Sequence, residues 1–517
     1  MPAYQPSAAV MAARQATVGA LFHVRVPMQP THPAVVDGAR RLSYAELEAR
    51  SNRLANALLA RGLKHGDRFA ILARNRLEYV EVELAAAKAG LILAALNWRL
   101  GDRELTHCIE LVEPQVVLVQ PEFSEQLTRL PIDAVPQVSF GDEYEALLAA
   151  APDHYPDLTF DPESGLVILY TSGTTGLPKG ALISHRAMVA RAMAMSSELG
   201  MPVGDNFCAW APFYHMASTD TALCILMRGG TVHVVDGYDP DRLIEVLEQV
   251  RMQFFILMPG MVGDFAAIVK TRRVKVKGVG VCGAMADLVP REDIKAATEA
   301  LNAPYNNTFG ATETGLPPAT SSFIPIGVAP TSLSKRQSAF CELRLVDPDD
   351  NEVPMGTPGE VAMRGPTLFS GYWNADATNA HDFRNGWFHM GDVLRRNADG
   401  SLDYVDRVKY MIKSGGENIY PAEIEQVILT DARVREAVVV RRPDRRWGEV
   451  PVAFVVAAEA GLDAEAILDN CRENLSSYKR PKGIFFIQDD ELPRSTTGKI
   501  QRHELEARLE KDTDSAA

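Results

Sequence analysis

The sequence is short of paired cysteines, of basic charge and of long apolar runs, and each shortage removes a class of protein. Its six cysteines (Cys108, Cys208, Cys224, Cys282, Cys341, Cys471) are scattered, with no C-x-x-C pair and no histidine at metal-ligand spacing. That excludes a disulfide scaffold and a cysteine-built zinc site, and it fits a reducing cytoplasm. Lys and Arg number 53 against 67 Asp and Glu, a formal net charge of −14. Nucleic-acid binders carry a clustered basic footprint, so no nucleic-acid partner is expected and any bound phosphate belongs to a small molecule. The most apolar long stretch, "VELAAAKAGLILAAL", is broken by Lys88 and falls short of the ~20 residues that span a bilayer. The opening "MPAYQPSAAVMAARQATVGALF" lacks a basic start followed by an apolar segment, so no secretory leader is expected. The expectation is a cytoplasmic protein with no membrane span.

What is present is length and alternation. A chain of 517 residues exceeds the ~250–300 at which single cores stop growing, which implies several domains. "SYAELEARSNRLANALLARG" has helical spacing, with Ser43 as N-cap and Glu46 completing a capping box. Short apolar strands follow in "RFAILA", "PQVVLV", "GLVILY", "TVHVVD" and "FFILMP". Strand and helix in alternation predict a layered α/β architecture with mostly parallel pairing. From about 340 to 405 the texture turns to short strands and Gly-, Pro- and Asn-rich turns, a β-rich subdomain. From Lys409 onward a more charged α+β unit is expected.

"GLVILY" stops at "TSGTTGLPKG". Backbone binding of phosphate needs N–H groups that converge on one anion, and glycine permits both the dihedrals and the close approach. Gly173, Gly176 and Gly180 provide that freedom, Ser172, Thr174 and Thr175 add hydroxyls, and Lys179 adds charge. A Walker A loop is excluded, because Leu-Pro-Lys-Gly follows Gly176. The bland alternative is a surface turn between a strand and a helix.

The stretch "YTSGTTGLPKG" resembles the signature loop of the adenylate-forming superfamily, which includes acyl-CoA synthetases (AMP-forming), peptide-synthetase adenylation domains and firefly luciferases. Further motifs of that family follow in order: "APFYHMA", "TFGATE", "WFHMGD", "DRVKYMIKSGGENIYPAEIE" and "PRSTTGKIQR". The resemblance spans nearly the whole chain. It implies an α/β fold with a large N-terminal domain over 1–408, made of layered α/β subdomains and a β-rich one, and a small mobile α+β C-terminal domain over 409–517. It also implies a reaction: a carboxylate attacks the α-phosphorus of ATP, and coenzyme A then takes the acyl group from acyl-AMP. Crowded negative charge on this path calls for positioned cations and donors.

By the same resemblance, Thr171, Ser172, Gly173, Thr174, Thr175, Gly176 and Lys179 hold the β- and γ-phosphates. Thr312 holds the α-phosphate, and Glu313 holds Mg²⁺ after Phe309 and Gly310, which open the turn. Gly283 and Ala284, beside Cys282 and Met285, border adenine and the acyl group. Asp392 accepts the ribose hydroxyls with support from Arg407, and Lys409 is the hinge. Lys499 bridges carboxylate and α-phosphate in the first step; after rotation, Gly415, Gly416 and Glu417 line the path of the thiol.

His215, in "PFYHMAS", orients the carboxylate or adenylate, or else packs. Amino-acid-activating relatives place an aspartate in this motif, where Tyr214 and His215 stand here, so an acyl or aryl acid without an ammonium is expected. The chain departs from the family pattern twice. Met390 precedes Gly391-Asp392 where a threonine is usual, and "PTSLSKRQSAFCELRLVD" replaces a glycine-containing turn, which is either a tolerated loop variant or a turn displaced or covered by Lys335, Arg336 and Gln337. The readings that stay open are an ATP- and Mg²⁺-dependent acid–CoA ligase, a half-reaction enzyme that takes a preformed acyl-adenylate from a partner adenylating enzyme, and an adenylation enzyme that loads a carrier protein. A luciferase-like oxygenase and a non-catalytic scaffold stand further off, and a homodimer is compatible with any of them.

Overall fold

The computed structural model describes Ser7, Val10 and residues 16–132, 135–156, 158–171, 177–415, 417–458, 461–494 and 500–514. They group into two compact units, one of residues 1–343 with 364–386 and the other of 344–363 with 387–517.

The first unit is built on parallel sheets, as the alternation predicts. Six strands run in the spatial order Gln137–Ser139, Val117–Val119, Arg68–Leu72, Ile92–Ala95, Gly165–Thr171, Lys179–Ser184, all parallel except the last pair. Their near-continuous apolar runs suit strands buried on both faces. The stretch with Lys88 is the helix Leu77–Ala89, buried all round, followed by the strand Ile92–Ala95. A sheet of Arg40–Ser43, Pro33–Asp37, Thr231–Val234 and Asn206–Ala209 forms a second layer. Met252–Phe255, Val279–Cys282, Tyr305–Asn306 and Phe323–Ile324 form a third. "FFILMP" is therefore strand only to Phe255; Ile256 and Leu257 stay buried beyond it without extending the ladder. The capping box is formed: the Glu46 amide donates to Ser43 Oγ at 3.3 Å and the Ser43 amide to Glu46 Oε2 at 2.8 Å, opening the helix Tyr44–Ala60.

In the second unit, Glu342–Val346, Pro358–Arg364, Phe388–Arg396 and Leu402–Arg407 form the expected β-rich sheet. A five-stranded sheet dominated by the antiparallel pair Val434–Asp444 and Gly448–Ala457 follows. The helices Pro421–Ile428 and Ala464–Asn474 contribute to one apolar cluster on that sheet, and Arg502–Asp514 contributes to another. Among the described residues no helix is long and apolar enough to cross a membrane.

Two buried histidines of the first unit give the fold a defined acid sensitivity. Burial lowers His185 from 6.5 to about 3, and its Nδ1 accepts from the Val18 amide at 3.3 Å; burial lowers His233 to about 4. Because the folded values lie below the unfolded one, the unfolded chain takes up protons first as pH falls. The stabilisation is complete above pH 6.5 and is lost on the way down towards pH 4 and 3. Each histidine is expected to remove up to about 1.4 kcal/mol of unfolding free energy per pH unit below 6.5. Denaturant titrations at pH 7.5, 6 and 5 check this, and a midpoint constant across them contradicts it.

Candidate active site

The glycine-rich stretch joins two antiparallel strands, not a strand and a helix. Thr171 ends the strand Gly165–Thr171 and pairs in register with Lys179, which begins Lys179–Ser184. The hairpin geometry thus sets Thr171 and Lys179 side by side at the mouth of the loop. Ser172, Gly173, Thr174, Thr175 and Gly176 lie outside the described residues.

Lys179 meets the "TFGATE" motif through a residue the motif reading did not single out. Its Nζ sits 4.6 Å from the Tyr372 ring centroid, and the Tyr372 hydroxyl donates to Glu313 Oε1 at 2.7 Å. A cation on an aromatic face and a hydroxyl on a carboxylate are both favourable contacts, and here one tyrosine makes both. The Glu313 carbonyl also accepts from the Phe369 amide at 2.9 Å. Tyr372 lies in "SGYWN", whose Gly-Tyr turn looks in the sequence like ordinary punctuation.

Phe309 and Gly310 are in the strand Phe309–Ala311, which pairs with Gly315–Ala319. Gly310 is needed here for space and not for an unusual φ, since a Cβ on it would come within 2.1 Å of the Gly315 carbonyl oxygen. Thr312 and Glu313 occupy the tight connection between those strands, and the Ala311 amide donates to Thr314 Oγ1 at 3.0 Å. Gly283 follows the strand Val279–Cys282 at φ +75°, and a Cβ there would overlap the Tyr305 ring at 2.1 Å. The Tyr305 hydroxyl donates to the Ala284 carbonyl at 2.9 Å, so the wall expected from Cys282 to Met285 is fixed by an aromatic strut. Cys282 itself is buried, and burial pushes its thiol up to about 12, which fits packing and not nucleophilic chemistry.

His215 caps the helix Met216–Met227, its Nδ1 accepting from the Ala217 amide at 3.2 Å. The turn before it is held by Asn75, whose Nδ2 donates to the carbonyls of Ala209, Ala211 and Val235 and whose Oδ1 accepts from the Phe213 amide. Tyr79 stacks on Phe213 with centroids 5.0 Å apart. These partners lie far from the motif in the chain, so spacing alone does not reveal them.

The segment that departs from the family pattern is anchored by charge in place of glycine. Lys335 is fully buried, its Nζ 2.6 Å from Asp287 Oδ2 and donating to the Leu333 carbonyl at 2.9 Å. Asn307 Nδ2 donates to the Leu333 and Ser334 carbonyls, and Ser338 Oγ donates to Glu198. The Arg336 amide donates to Ser322 Oγ at 2.6 Å, and Gln337 Nε2 to the Cys341 carbonyl at 3.0 Å.

In the second unit, Asp392 and Arg407 stand opposite each other in register, with Arg407 Nε 3.0 Å from Asp392 Oδ1. That ion pair, with Asp392 almost wholly buried, raises the guanidinium pKa further. Next to it, burial pushes the Asp406 carboxyl up to about 6 against the charge of Arg502 and the amides of Ala422 and Arg407. Lys409 lies in the short turn Val408–Tyr410, and Arg441 Nη2 donates to its carbonyl at 2.6 Å. Gly415 turns the chain at φ +59° under the Trp447 ring, and Glu417 begins the strand Glu417–Ile419 on the exposed side. Gly416 and Lys499 lie outside the described residues.

A lysine, a carboxylate on a tight turn and a glycine-bordered wall in the first unit can hold an anion and a hard cation. Glu313 fits Mg²⁺ by donor chemistry, since that ion takes one or two carboxylates and leaves the rest of its shell to water and substrate phosphate. Among the described residues no cluster of three or more His, Cys, Asp or Glu offers an all-protein cage.

Known proteins resemble the chain over nearly its whole length. The model of the AMP-binding enzyme family matches residues 22–373, and that of the AMP-binding enzyme C-terminal domain matches 423–499. A feruloyl-CoA synthase of Amycolatopsis sp is 34% identical over 94% of this chain and 97% of its own. The fatty acid–[acyl-carrier-protein] ligase ScoC of Streptomyces coeruleorubidus is 32% identical over 94% and 95%. Among solved structures, ATP-bound MatB from Rhodopseudomonas palustris superposes with a TM-score of 0.83 at 25% identity, covering 95% of this chain and 99% of that one. With the family model spanning most of the first unit and full-length relatives above 30% identity, the chain belongs to the AMP-binding enzyme family.

Proposed function

We propose that the protein is an ATP- and Mg²⁺-dependent acid–CoA ligase acting on an acyl, aryl or alicyclic acid without an ammonium group. The observation that carries this reading is the Lys179–Tyr372–Glu313 contact chain, which joins two separate motifs through one tyrosine. In the first step the acid's carboxylate oxygen forms a bond to the α-phosphorus and pyrophosphate leaves. Lys179 and the loop from Thr171 to Gly176 hold the β- and γ-phosphates, Thr312 the α-phosphate, and Lys499 bridges it to the carboxylate. Glu313 holds Mg²⁺, which supplies charge neutralisation on the phosphate oxygens. In the second step the thiolate of coenzyme A attacks the acyl carbon and AMP leaves with the bonding pair. Asp392 and Arg407 retain the ribose, Gly283 and Ala284 border adenine, and His215 orients the carboxylate or the adenylate. Lys409 is the hinge between the steps, and Gly415, Gly416 and Glu417 line the thiol's path. A feruloyl-CoA synthase among the relatives supports an aryl acid.

The buried Lys335–Asp287 pair favours two complete steps over the half-reaction, because the lysine's charge is matched inside the wall and not left facing a phosphate. Carrier-protein loading is a second reading, favoured by the relative that ligates fatty acids to an acyl carrier protein.

Pyrophosphate release with ATP and a panel of aryl and acyl acids tests the first step; no release with any acid, alongside thioester formation from synthetic acyl-AMP, selects the half-reaction instead. In the same assay Tyr372→Phe is expected to slow release about tenfold, since a hydrogen bond to a charged group contributes ~1.5–3 kcal/mol. An unchanged rate removes Tyr372 from the site.

A further inference from the structure

Among the described residues the largest fully buried side chain is a cation, Arg191, with its side chain 1% exposed. It lies on the helix His185–Glu198 and uses its guanidinium fork three ways. Nη1 is 3.0 Å from Asp220 Oδ2, Nη2 donates to the Thr312 carbonyl at 2.8 Å, and Nε donates to the Thr367 carbonyl at 3.0 Å. Asp220 belongs to the helix that His215 caps and is likewise 1% exposed. A Cβ on Gly315, at φ +75°, would come within 2.9 Å of Arg191 Cγ, so the turn rests directly on this side chain.

The segment that Arg191 holds at Thr367 is the one that reaches Glu313. Arg186, on the same helix, donates to the Pro366 and Leu368 carbonyls, and the Phe369 amide donates to the Glu313 carbonyl. Thr312 and Glu313 are thus fastened by their backbone to two arginines of one helix, directly or through the 366–369 segment. A buried ion pair of this kind is weak evidence for stability, because apolar residues of similar volume often serve as well. The hydrogen bonds to Thr312 and Thr367 point instead to alignment.

We propose that Arg191, held by Asp220, is a positioning residue that sets the Thr312–Glu313 turn for the α-phosphate and Mg²⁺; this rests on the ligase reading above. A planar fork with fixed donor directions suits the task, and lysine cannot reproduce it. Both side chains are buried against protein partners, so the role is positioning and not contact with substrate.

The test compares Arg191→Met, Arg191→Lys and the double variant Arg191→Met with Asp220→Leu, using thermal melts, pyrophosphate release, Mg²⁺ titration and calorimetric binding of Mg²⁺-ATP. Arg191→Met leaves Asp220 buried without its partner and is expected to lower the melting temperature. The double variant is expected to recover that loss while its pyrophosphate release stays down on the order of 100-fold, the effect of a misplaced group near 1 Å. Its Mg²⁺ half-saturation should rise about tenfold, with the lysine variant between the two, because transition-state contacts depend on placement. Recovery of melting temperature and catalysis together in the double variant overturns the proposal, since Arg191 would then serve stability alone. Absence of pyrophosphate release in the wild type counts against the ligase reading and not against Arg191, whose effect is still read by weaker Mg²⁺-ATP binding in the double variant; unchanged binding overturns it.

Discussion

Glu313→Gln is expected to lose pyrophosphate release by a factor of about 10²–10³, the usual loss when one preorganised electrostatic contact is removed. The substitution keeps shape and still lets Tyr372 bond the side chain, now as an amide oxygen, so the turn has no reason to collapse. What changes is charge. A hard cation loses an anionic oxygen ligand, and the loss should be met in part by raising Mg²⁺. Thioester formation from supplied acyl-AMP should change little, because that step carries no pyrophosphate charge for Mg²⁺ to neutralise. Steady-state rates at several Mg²⁺ concentrations check this. Equal loss in both half-reactions would instead mean that Glu313 supports the fold of the Phe309–Ala319 hairpin.

Lys499→Ala is expected to have an effect of similar or greater size, about 10³-fold, and one confined to adenylation. The attacking carboxylate and the α-phosphate are both anions, and their approach is opposed unless a cation lies between them. In the second step the thiolate meets a neutral acyl carbon, with the singly charged α-phosphate as the leaving side and not the centre attacked, so the opposition is weaker. Thioester formation from acyl-AMP should therefore survive in the alanine variant. Loss of both activities contradicts the role given to Lys499.

How far the sequence reveals such a site depends on whether the signal is local. The Ser43–Glu46 capping box and the apolar strands around "GLVILY" are legible because backbone hydrogen bonding and burial follow from neighbours in the chain. The end of the strand in "FFILMP" is not, because buried residues stay apolar whether or not a ladder partner is present. Gly310 is visible as a glycine, but its reason, the approach of the Gly315 carbonyl, becomes clear only when the hairpin is closed. The same holds for Lys335. The sequence offers a lysine in a segment without the glycine-containing turn of the family pattern, and only the fold supplies Asp287 beside it.

Arg191, Asn75 and Tyr372 mark the other limit. Each is a polar residue in an ordinary local setting: mid-helix, before a helix, after a glycine. Their importance comes from partners distant in the chain, such as Arg191 with Thr312 and Asn75 with Phe213. Burial of Arg191 is the one physical signal that could have found it, and burial is a property of the fold. Motif recognition identifies the groups proposed to meet the substrate, whereas the groups that hold them in place are spread through the core.

The central claim is that one chain converts an acid, ATP and coenzyme A into a thioester through acyl-AMP. The most direct measurement incubates the protein with Mg²⁺-ATP, coenzyme A and a panel of aryl and acyl acids, and follows AMP, pyrophosphate and CoA thioester together by mass spectrometry. Equal amounts of AMP, pyrophosphate and thioester from at least one acid are predicted. Thioester formed only when acyl-AMP is supplied, with no pyrophosphate from any acid, would contradict the account.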